Sequence, residues 1–429
     1  MKVGIVSLGC CKNLVDTQNA LSFLKASGHT FVDNPAEADA IIVNTCGFIN
    51  DAKQESINTI LQMAEYKKEK LQYLIVMGCL VQRYKADLEK ELPEVDCFIA
   101  IDEYKNLPEI FNKILKSKTQ YKCETIIATY PHTAYLKIAD GCSNRCAYCA
   151  IPLIRKDYRS VPMEDLLKQA KELEKMNVKE LNLIAQDTTR YGIDLYGKLC
   201  LADLLTELNK MNFTWIRILY MYPDEITDEL LDTMSKLDKV VPYFDIPVQH
   251  SSDRLLKLMN RRGNKQHILS VIQKIREKFE DPILRTTIIV GFPTETDADF
   301  AELLDFVKEV KWDRLGAFTY SLEEDTPSYT MEPKVSEETA QKRLAELMKL
   351  QEKIAKENNQ RFVGQTLKVV VETQDSIQSD RYEGRAAQHA PDDIDGHVRF
   401  NSQQSLNIGD FVDVTITSAD SYDLFGQTE

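Results

Sequence analysis

Apolar residues follow three successive patterns along this chain. Lys2 to Leu8, Ala40 to Thr45 and Tyr73 to Gly78 are short runs dominated by Ile, Val and Leu, separated by amphipathic stretches such as Thr17 to Ala26 and Asp51 to Ala64. Near-continuous apolar strands alternating with helices predict a parallel α/β sheet covered on both faces. Further runs follow at Tyr135 to Ala139, Glu180 to Ala185, Trp215 to Tyr222, Tyr243 to Val248, Leu284 to Val290 and Ala317 to Ser321, each parted from the next by helical patterning. These βα units predict an open, partial (βα)6 barrel. Between Ser336 and Arg361 the chain is highly charged, with Ala340, Leu344, Leu347, Gln351, Ile354 and Ala355 on one stripe, which predicts an amphipathic helix capped by Ser336. Beyond Phe362 the pattern shortens to alternating strands (Leu367 to Glu372, Arg381 to Ala386, Gly396 to Phe400, Phe411 to Thr417) broken by Asp395-Gly396 and Gly409-Asp410 turns, the pattern of a small β-barrel. The expected organisation is α/β overall: a parallel sheet domain (1–125), a partial barrel (131–335), a bridging helix (336–361) and an all-β barrel (362–429).

Composition narrows the class. Of 429 residues 43% are hydrophobic, enough for a core in each region, and no uncharged apolar run approaches the roughly 18 residues a membrane span needs. The opening MKVGIVSLGC reads as a first strand and not a signal peptide, so a cytoplasmic location without membrane attachment is expected. The net charge of −14 favours basic partners over phosphate backbones. Ten cysteines in a chain of this kind point to metal or catalysis and not to a disulfide framework.

Cys142, Cys146 and Cys149 stand in GCSNRCAYC, directly after the Tyr135 to Ala139 strand. Three thiolates on one loop make a chelate. Zinc in a structural site takes four ligands, whereas a cubane held by three cysteines leaves one iron open. Neither His132 nor a fourth cysteine is suitably spaced to complete a zinc site. Cys10, Cys46 and Cys79 are scattered, yet each follows the end of one of the first three parallel strands. Carboxyl strand ends of an open parallel sheet face one crevice, so these thiols are expected to converge there as a second three-cysteine site. The alternative is that each is a small buried apolar residue. Cys97, Cys123 and Cys200 lack this placement and are read as structural. At the carboxyl ends of the barrel strands stand Gln186, Asp187, Tyr222, Gln249, His250, Gly291 and Ser321, where a site would form, although turn and capping roles account for such residues equally well.

GCSNRCAYC, with Tyr148 before its last cysteine, resembles the signature of the radical S-adenosylmethionine superfamily. SLGCCKNLVDTQ, NTCGFINDAKQES, GCLVQRY, PVQHSSDRLLKLMNRR and IIVGFPTET, in this order, extend the resemblance to the methylthiotransferase family over essentially the whole chain. Cys11 departs from related sequences, which often have proline there. The resemblance implies two [4Fe-4S] clusters, an auxiliary one on Cys10, Cys46 and Cys79 and a radical-generating one on Cys142, Cys146 and Cys149. It also implies S-adenosylmethionine as cofactor, with Gln186, Asp187, Gln249, His250, Gly291 and Tyr148 as its candidate contacts. Replacing an unactivated carbon-hydrogen bond by a methylthio group has no polar route at neutral pH, because no side-chain base removes such a proton. In the family one S-adenosylmethionine methylates a sulfur on the auxiliary cluster, a second supplies the 5′-deoxyadenosyl radical, and the two clusters must face one cavity.

The terminal barrel resembles a TRAM domain, which binds RNA in the transfer-RNA-modifying members. Here residues 362–429 carry four basic residues against twelve acidic ones, a net of −8, which disfavours RNA and favours a basic protein. RYEGRAAQHAPDDIDGHV resembles the branch that modifies a ribosomal protein, which implies as substrate an aspartate β-carbon of small-subunit ribosomal protein twelve. A reducing electron donor such as flavodoxin or ferredoxin is expected. The second reading is methylthiolation of transfer-RNA adenosine, and the third is a non-catalytic iron-sulfur electron carrier.

Overall fold

In the computed structural model, residues 1–117, 124–392 and 394–428 are described. Five parallel strands form the N-terminal sheet in the spatial order Thr30–Phe31, Lys2–Ser7, Ala40–Thr45, Tyr73–Gly78, Cys97–Ile99. Ala40–Thr45 is buried at every position because it is the central strand. Its alternating side chains feed two cores: Ile41 and Val43 pack with Ile60, Leu74, Val76 and Leu80 on one face, and Ala40 and Ile42 with Val3, Leu24, Ile75 and Phe111 on the other. This is the two-sided burial that near-continuous apolar strands require. Two strands had no signal in the pattern: Thr30–Phe31 has two exposed residues, and Cys97–Ile99 is three residues long.

The first helix spans Cys11–Ala26 and so begins six residues before the periodic stretch. Its early turns bury Lys12, Asn13, Asp16, Thr17 and Gln18, which an apolar count does not see. The second helix, Asn50–Ala64, agrees with expectation.

By their internal contacts the residues fall into two units. The first comprises Met1–Thr129, Ala139–Arg159 and Ser321–Tyr329, so the 142–149 cysteine loop is grouped with the N-terminal sheet. The second comprises Tyr130–Ile138, Ser160–Tyr320 and Thr330–Glu429.

In the second unit the barrel strands run parallel in chain order, as expected. Thr133–Lys137, Glu180–Ile184 and Trp215–Ile218 form one hydrogen-bonded set, and Tyr243–Asp245, Ile283–Val290 and Arg314–Thr319 the other. Trp215–Ile218 and Tyr243–Asp245 end earlier than their apolar runs. Tyr220 and Gln249 take left-handed backbone conformations (φ 62° and 72°), which break the extended chain. Glu337–Asn359 is the long amphipathic helix, with Ser336 Oγ accepting from Thr339 N. It buries Ala340, Leu347, Gln351, Ile354 and Ala355 as expected, and Arg343 as well; Leu344 is half-buried. The C-terminal strands close into a barrel in the order Thr366–Gln374, Arg381–Ala386, Val398–Asn401, Leu424–Gln427, Phe411–Ala419. The unexpected member is Leu424–Gln427, which closes the ring by pairing parallel to Val398–Asn401. No helix among the described residues is long and apolar enough to cross a membrane.

Candidate cluster and cofactor sites

In the first unit three strand ends deliver three cysteines. Cys10 is the N-cap of Cys11–Ala26, Cys46 follows Ala40–Thr45, and Cys79 opens the Cys79–Glu91 helix. Glycines let the turns touch. A Cβ on Gly9 would stand 2.9 Å from Cys46 Cβ, and one on Gly47 would stand 3.0 Å from the carbonyl carbon of Cys79. Asn13, wholly buried, ties the same turns together. Its Nδ2 donates to Leu8 O (3.1 Å) and Thr45 O (2.9 Å), and its Oδ1 accepts from Cys79 Sγ (3.4 Å). The three turns therefore meet. The convergence is one of turns: among the described residues no group of three His, Cys, Asp or Glu side chains stands ready-closed around a metal position.

The three thiols differ in their surroundings. Burial pushes the Cys79 thiol up to about 12, with the nearby Cys46, Cys10 and Asp16 adding to burial and Arg155 opposing it. Burial also raises Cys46, against the backbone N–H groups of Phe48 and Gly47. Cys10 is open to solvent, yet crowding by the surrounding chain works against its charged form. Lys12, Arg155 and the N–H groups of Asn13 and Lys12 outweigh that and lower it. Thiols held up by burial and by one another are stabilised as thiolates once a metal centre supplies positive charge.

The second cysteine loop is folded onto the stretch that follows it. Cys142 N donates to Lys156 O (3.0 Å), Cys149 N to Cys146 O (3.0 Å) and Tyr158 N to Ser143 Oγ (3.1 Å). Gly141 adopts φ +76°, and a Cβ there would lie 2.2 Å from Asp157 O. Cys146 is buried, and Cys142 and Cys149 are half-buried. Tyr148, also half-buried, lies in the turn between Cys146 and Cys149. The short Ile151–Ile154 helix follows, and Ala150 and Ile154 pack with Cys79 and Ile101 in one apolar cluster. Both cysteine sets thus belong to one packed unit.

A third segment of this unit, Ser321–Tyr329, carries contacts that had no signal in the sequence beyond Ser321 itself. Ser328 N donates to Ala147 O (2.9 Å), beside Cys146. Buried Glu323 accepts from Arg83 Nη1 (2.8 Å) and Lys53 Nζ (3.0 Å), and Arg83 also donates to Gly47 O (3.2 Å), beside Cys46. Ser321 Oγ accepts from Asn50 N and donates to Glu323.

In the second unit the remaining candidates lie at carboxyl strand ends. Gln186 has both side-chain polar atoms buried without a protein partner. Asp187 is buried and accepts from Thr189 Oγ1 (2.6 Å). The backbone of Gln249 bridges to the Ile283–Val290 strand, with Gln249 N on Thr287 O and Ile289 N on Gln249 O (both 2.8 Å). Tyr222 is buried beneath the Arg261 guanidinium, 4.0 Å from its ring centre.

His250 is sealed from solvent. Its Nδ1 accepts from Ser251 N and Ser252 N (2.9 and 3.0 Å), and its Nε2 faces Glu295 Oε2 at 3.9 Å. Glu295 in turn accepts from Gly291 N (2.7 Å) and Phe292 N (3.2 Å) and pairs with Arg343 (2.8 Å). Gly291 is explained by packing: it takes φ +75°, and a Cβ would meet Ala340 Cβ at 2.6 Å. Of the other cysteines, Cys97 is half-buried and Cys200 is buried against Gly192, while Cys123 lies outside the described residues.

Comparison with known proteins matches three families along the chain: the uncharacterized protein family UPF0004 over residues 2–100, the radical SAM superfamily over 136–307 and the TRAM domain over 363–428. Proteins described as ribosomal protein uS12 methylthiotransferase RimO match end to end. Those of Caldicellulosiruptor saccharolyticus and Alkaliphilus oremlandii are each 47% identical, covering 100% of this chain and 99% of theirs. That of Clostridioides difficile is 47% identical, covering 99% and 98%. Among solved structures, the radical S-adenosylmethionine methyltransferase TsrM of Kitasatospora setae, with cobalamin and a [4Fe-4S] cluster bound, aligns with a TM-score of 0.58 at 11% identity, covering 76% of this chain and 77% of that one. The cobalamin-dependent radical enzyme OxsB aligns with a TM-score of 0.52 at 13% identity, covering 82% and 56%. At such identities these two alignments speak to fold alone.

Proposed function

The chain belongs to the ribosomal protein uS12 methylthiotransferase RimO family, and from that membership we propose how its residues share the work. It is a radical S-adenosylmethionine enzyme that transfers a methylthio group to ribosomal protein uS12; the transfer-RNA reading is not favoured. The acceptor we propose is the β-carbon of an aspartate, in the cytoplasm where ribosomes are built.

Cys142, Cys146 and Cys149 are proposed to hold the radical-generating [4Fe-4S] cluster, and Cys10, Cys46 and Cys79 a second one. The observation that carries the second cluster is the meeting of the three turns through Gly9, Gly47 and Asn13. When bound, S-adenosylmethionine and the clusters supply hydrogen abstraction from carbon and the sulfur that replaces it. The protein's part is to bind and orient. Gln186, Asp187, Gln249 and Tyr148 are proposed to contact S-adenosylmethionine, with Gln186 offering an unspent amide. Glu295, sealed and accepting from Gly291 N and Phe292 N, is proposed to hold that backbone in place for the contact, with His250 Nε2 3.9 Å from its carboxylate. Electrons are proposed to come from a flavodoxin or ferredoxin.

The terminal barrel is proposed to meet basic protein and not RNA. Its charge is negative, and among its described aromatic residues only Tyr422 is exposed, with Tyr382 and Phe400 stacked inside. Stacking platforms for bases need displayed rings. Reconstituted enzyme with S-adenosylmethionine and a reductant, offered uS12 and transfer RNA separately, tests the reading. A methylthio mass gain on the protein is expected, and a gain on nucleosides alone would refute it.

A further inference from the structure

Arg155 lies in the first unit with 2% of its surface exposed. Its guanidinium reaches both cysteine sites. Nη2 donates to Asn13 Oδ1 (2.8 Å) and Asp16 Oδ2 (2.7 Å) and stands 3.9 Å from Cys79 Sγ. Nη1 contacts both oxygens of Asp140 (3.1 Å each). Asn13 ties the ends of the Lys2–Ser7 and Ala40–Thr45 strands, whereas Asp140 immediately precedes Gly141-Cys142. One buried side chain therefore joins the turns of one cysteine set to the root of the other.

Burying a guanidinium is costly, and well-packed apolar residues in place of the whole ion-paired set would often be no less stable, although removing Arg155 alone strands Asp16. What an apolar residue lacks is the planar fork, which fixes several partners in set directions, and the charge beside a cysteine sulfur. Lysine would keep the charge without the fork. Charge and hydrogen bonding at ligand sulfurs set the potential of an iron-sulfur centre.

We infer that Arg155 is a positioning residue that holds the 142–149 loop in register with the turns of Cys10, Cys46 and Cys79 and tunes the centre bound through Cys79. This rests on the reading that both cysteine sets carry clusters.

The test starts from the chain with Cys142, Cys146 and Cys149 all replaced by alanine, which isolates the N-terminal centre. Absence of iron from that parent would defeat the two-cluster reading before Arg155 is altered. With iron present, a reductive titration followed by electron paramagnetic resonance compares the parent with Arg155→Met and Arg155→Lys. Removing positive charge disfavours the reduced state, so Arg155→Met moves the midpoint to more negative potential, and Arg155→Lys restores most of it. In the six-cysteine enzyme, both variants lower the ratio of methylthiolated uS12 to 5′-deoxyadenosine by roughly tenfold to a hundredfold, the scale of a misplaced reacting group. Arg155→Met with the parent's potential and the enzyme's normal ratio overturns the inference. So does loss of all iron from both variants, which would make Arg155 a residue of folding alone.

Discussion

Glu180 and Arg385 meet at 2.7 Å with both side chains closed off from water, joining the first residue of a central-barrel strand to the C-terminal barrel. Arg217 also reaches Glu180 (3.0 Å), Thr133 Oγ1 donates to it (2.6 Å), and Arg385 pairs with Glu372 (2.8 Å). Burial works against the Glu180 charge, but Arg385 and Arg217 outweigh it and hold the carboxyl far below its ordinary range. Deleting one partner strands the other charge. Glu180→Ala or Arg385→Ala is therefore expected to cost about 3–5 kcal/mol, read as a lower midpoint in chemical denaturation. Because the folded value is depressed, this contribution is complete above the ordinary carboxylate range and fades only in stronger acid.

His250 brings a second acid response in a milder window. Its pKa is lowered to about 4 from 6.5, first by burial and further by Arg254 and Arg343, against the pull of Asp299. The unfolded chain takes up a proton that the folded imidazole refuses. Stability is thus complete above the ordinary value and falls as pH drops from 6.5 towards 4, by about 3 kcal/mol in all. His389, buried and held well below 6.5, acts in the same direction. Denaturation midpoints at pH 7.5 and pH 5 should therefore lie closer together in His250→Gln than in the parent, and closer still when His389→Gln is added. Parent-like spacing in both would contradict the assignment.

How far the sequence foretold the molecule depended on what kind of residue carried each feature. Apolar periodicity located Ala40–Thr45 and Tyr73–Gly78 to the residue, because strands buried on both faces cannot hide. It missed the start of Cys11–Ala26, whose buried face is Lys12, Asn13, Asp16, Thr17 and Gln18. Arg155 was likewise invisible. An arginine in a helix-loop stretch reads as solvated surface until Asp16 and Asp140 are seen around it. Glu323 met its partners Lys53 and Arg83 only through a chain separation of more than 200 residues. The cysteine turns were legible because strand ends of a parallel sheet share a side; what locks them together was not, since Asn13 gave no periodic or spacing signal.

Gly291 shows how a glycine beside a candidate cofactor site can be fixed by something else. Two demands fall on it, the left-handed φ of +75° and the 2.6 Å approach to Ala340 of the long helix. Gly291→Ala is expected to destabilise the protein by about 1–3 kcal/mol through overpacking and backbone strain. Ala340→Gly relieves only the steric part, so the double variant should recover some but not all of the loss in thermal unfolding. Full recovery would mean that the backbone conformation costs nothing, and none would mean that Ala340 is not the obstacle.

The two cysteine sets should load separately, and iron counting reveals it. Replacing Cys142, Cys146 and Cys149 together by alanine leaves Asn13, Gly9 and Gly47 in place around the other three thiols. Such a chain should keep about four irons, the content of one cubane. Replacing Cys10, Cys46 and Cys79 together should leave the same amount on the loop, with cleavage of S-adenosylmethionine to 5′-deoxyadenosine retained but methylthio transfer abolished. All six replacements should leave none. Cys11 offers an internal control: it is buried beside Cys10 at the start of the helix. If Cys10 is the ligand, Cys11→Ala preserves iron content whereas Cys10→Ala lowers it. Iron lost in Cys11→Ala but kept in Cys10→Ala would move the ligand by one residue, and equal retention in both would mean that either thiol can serve.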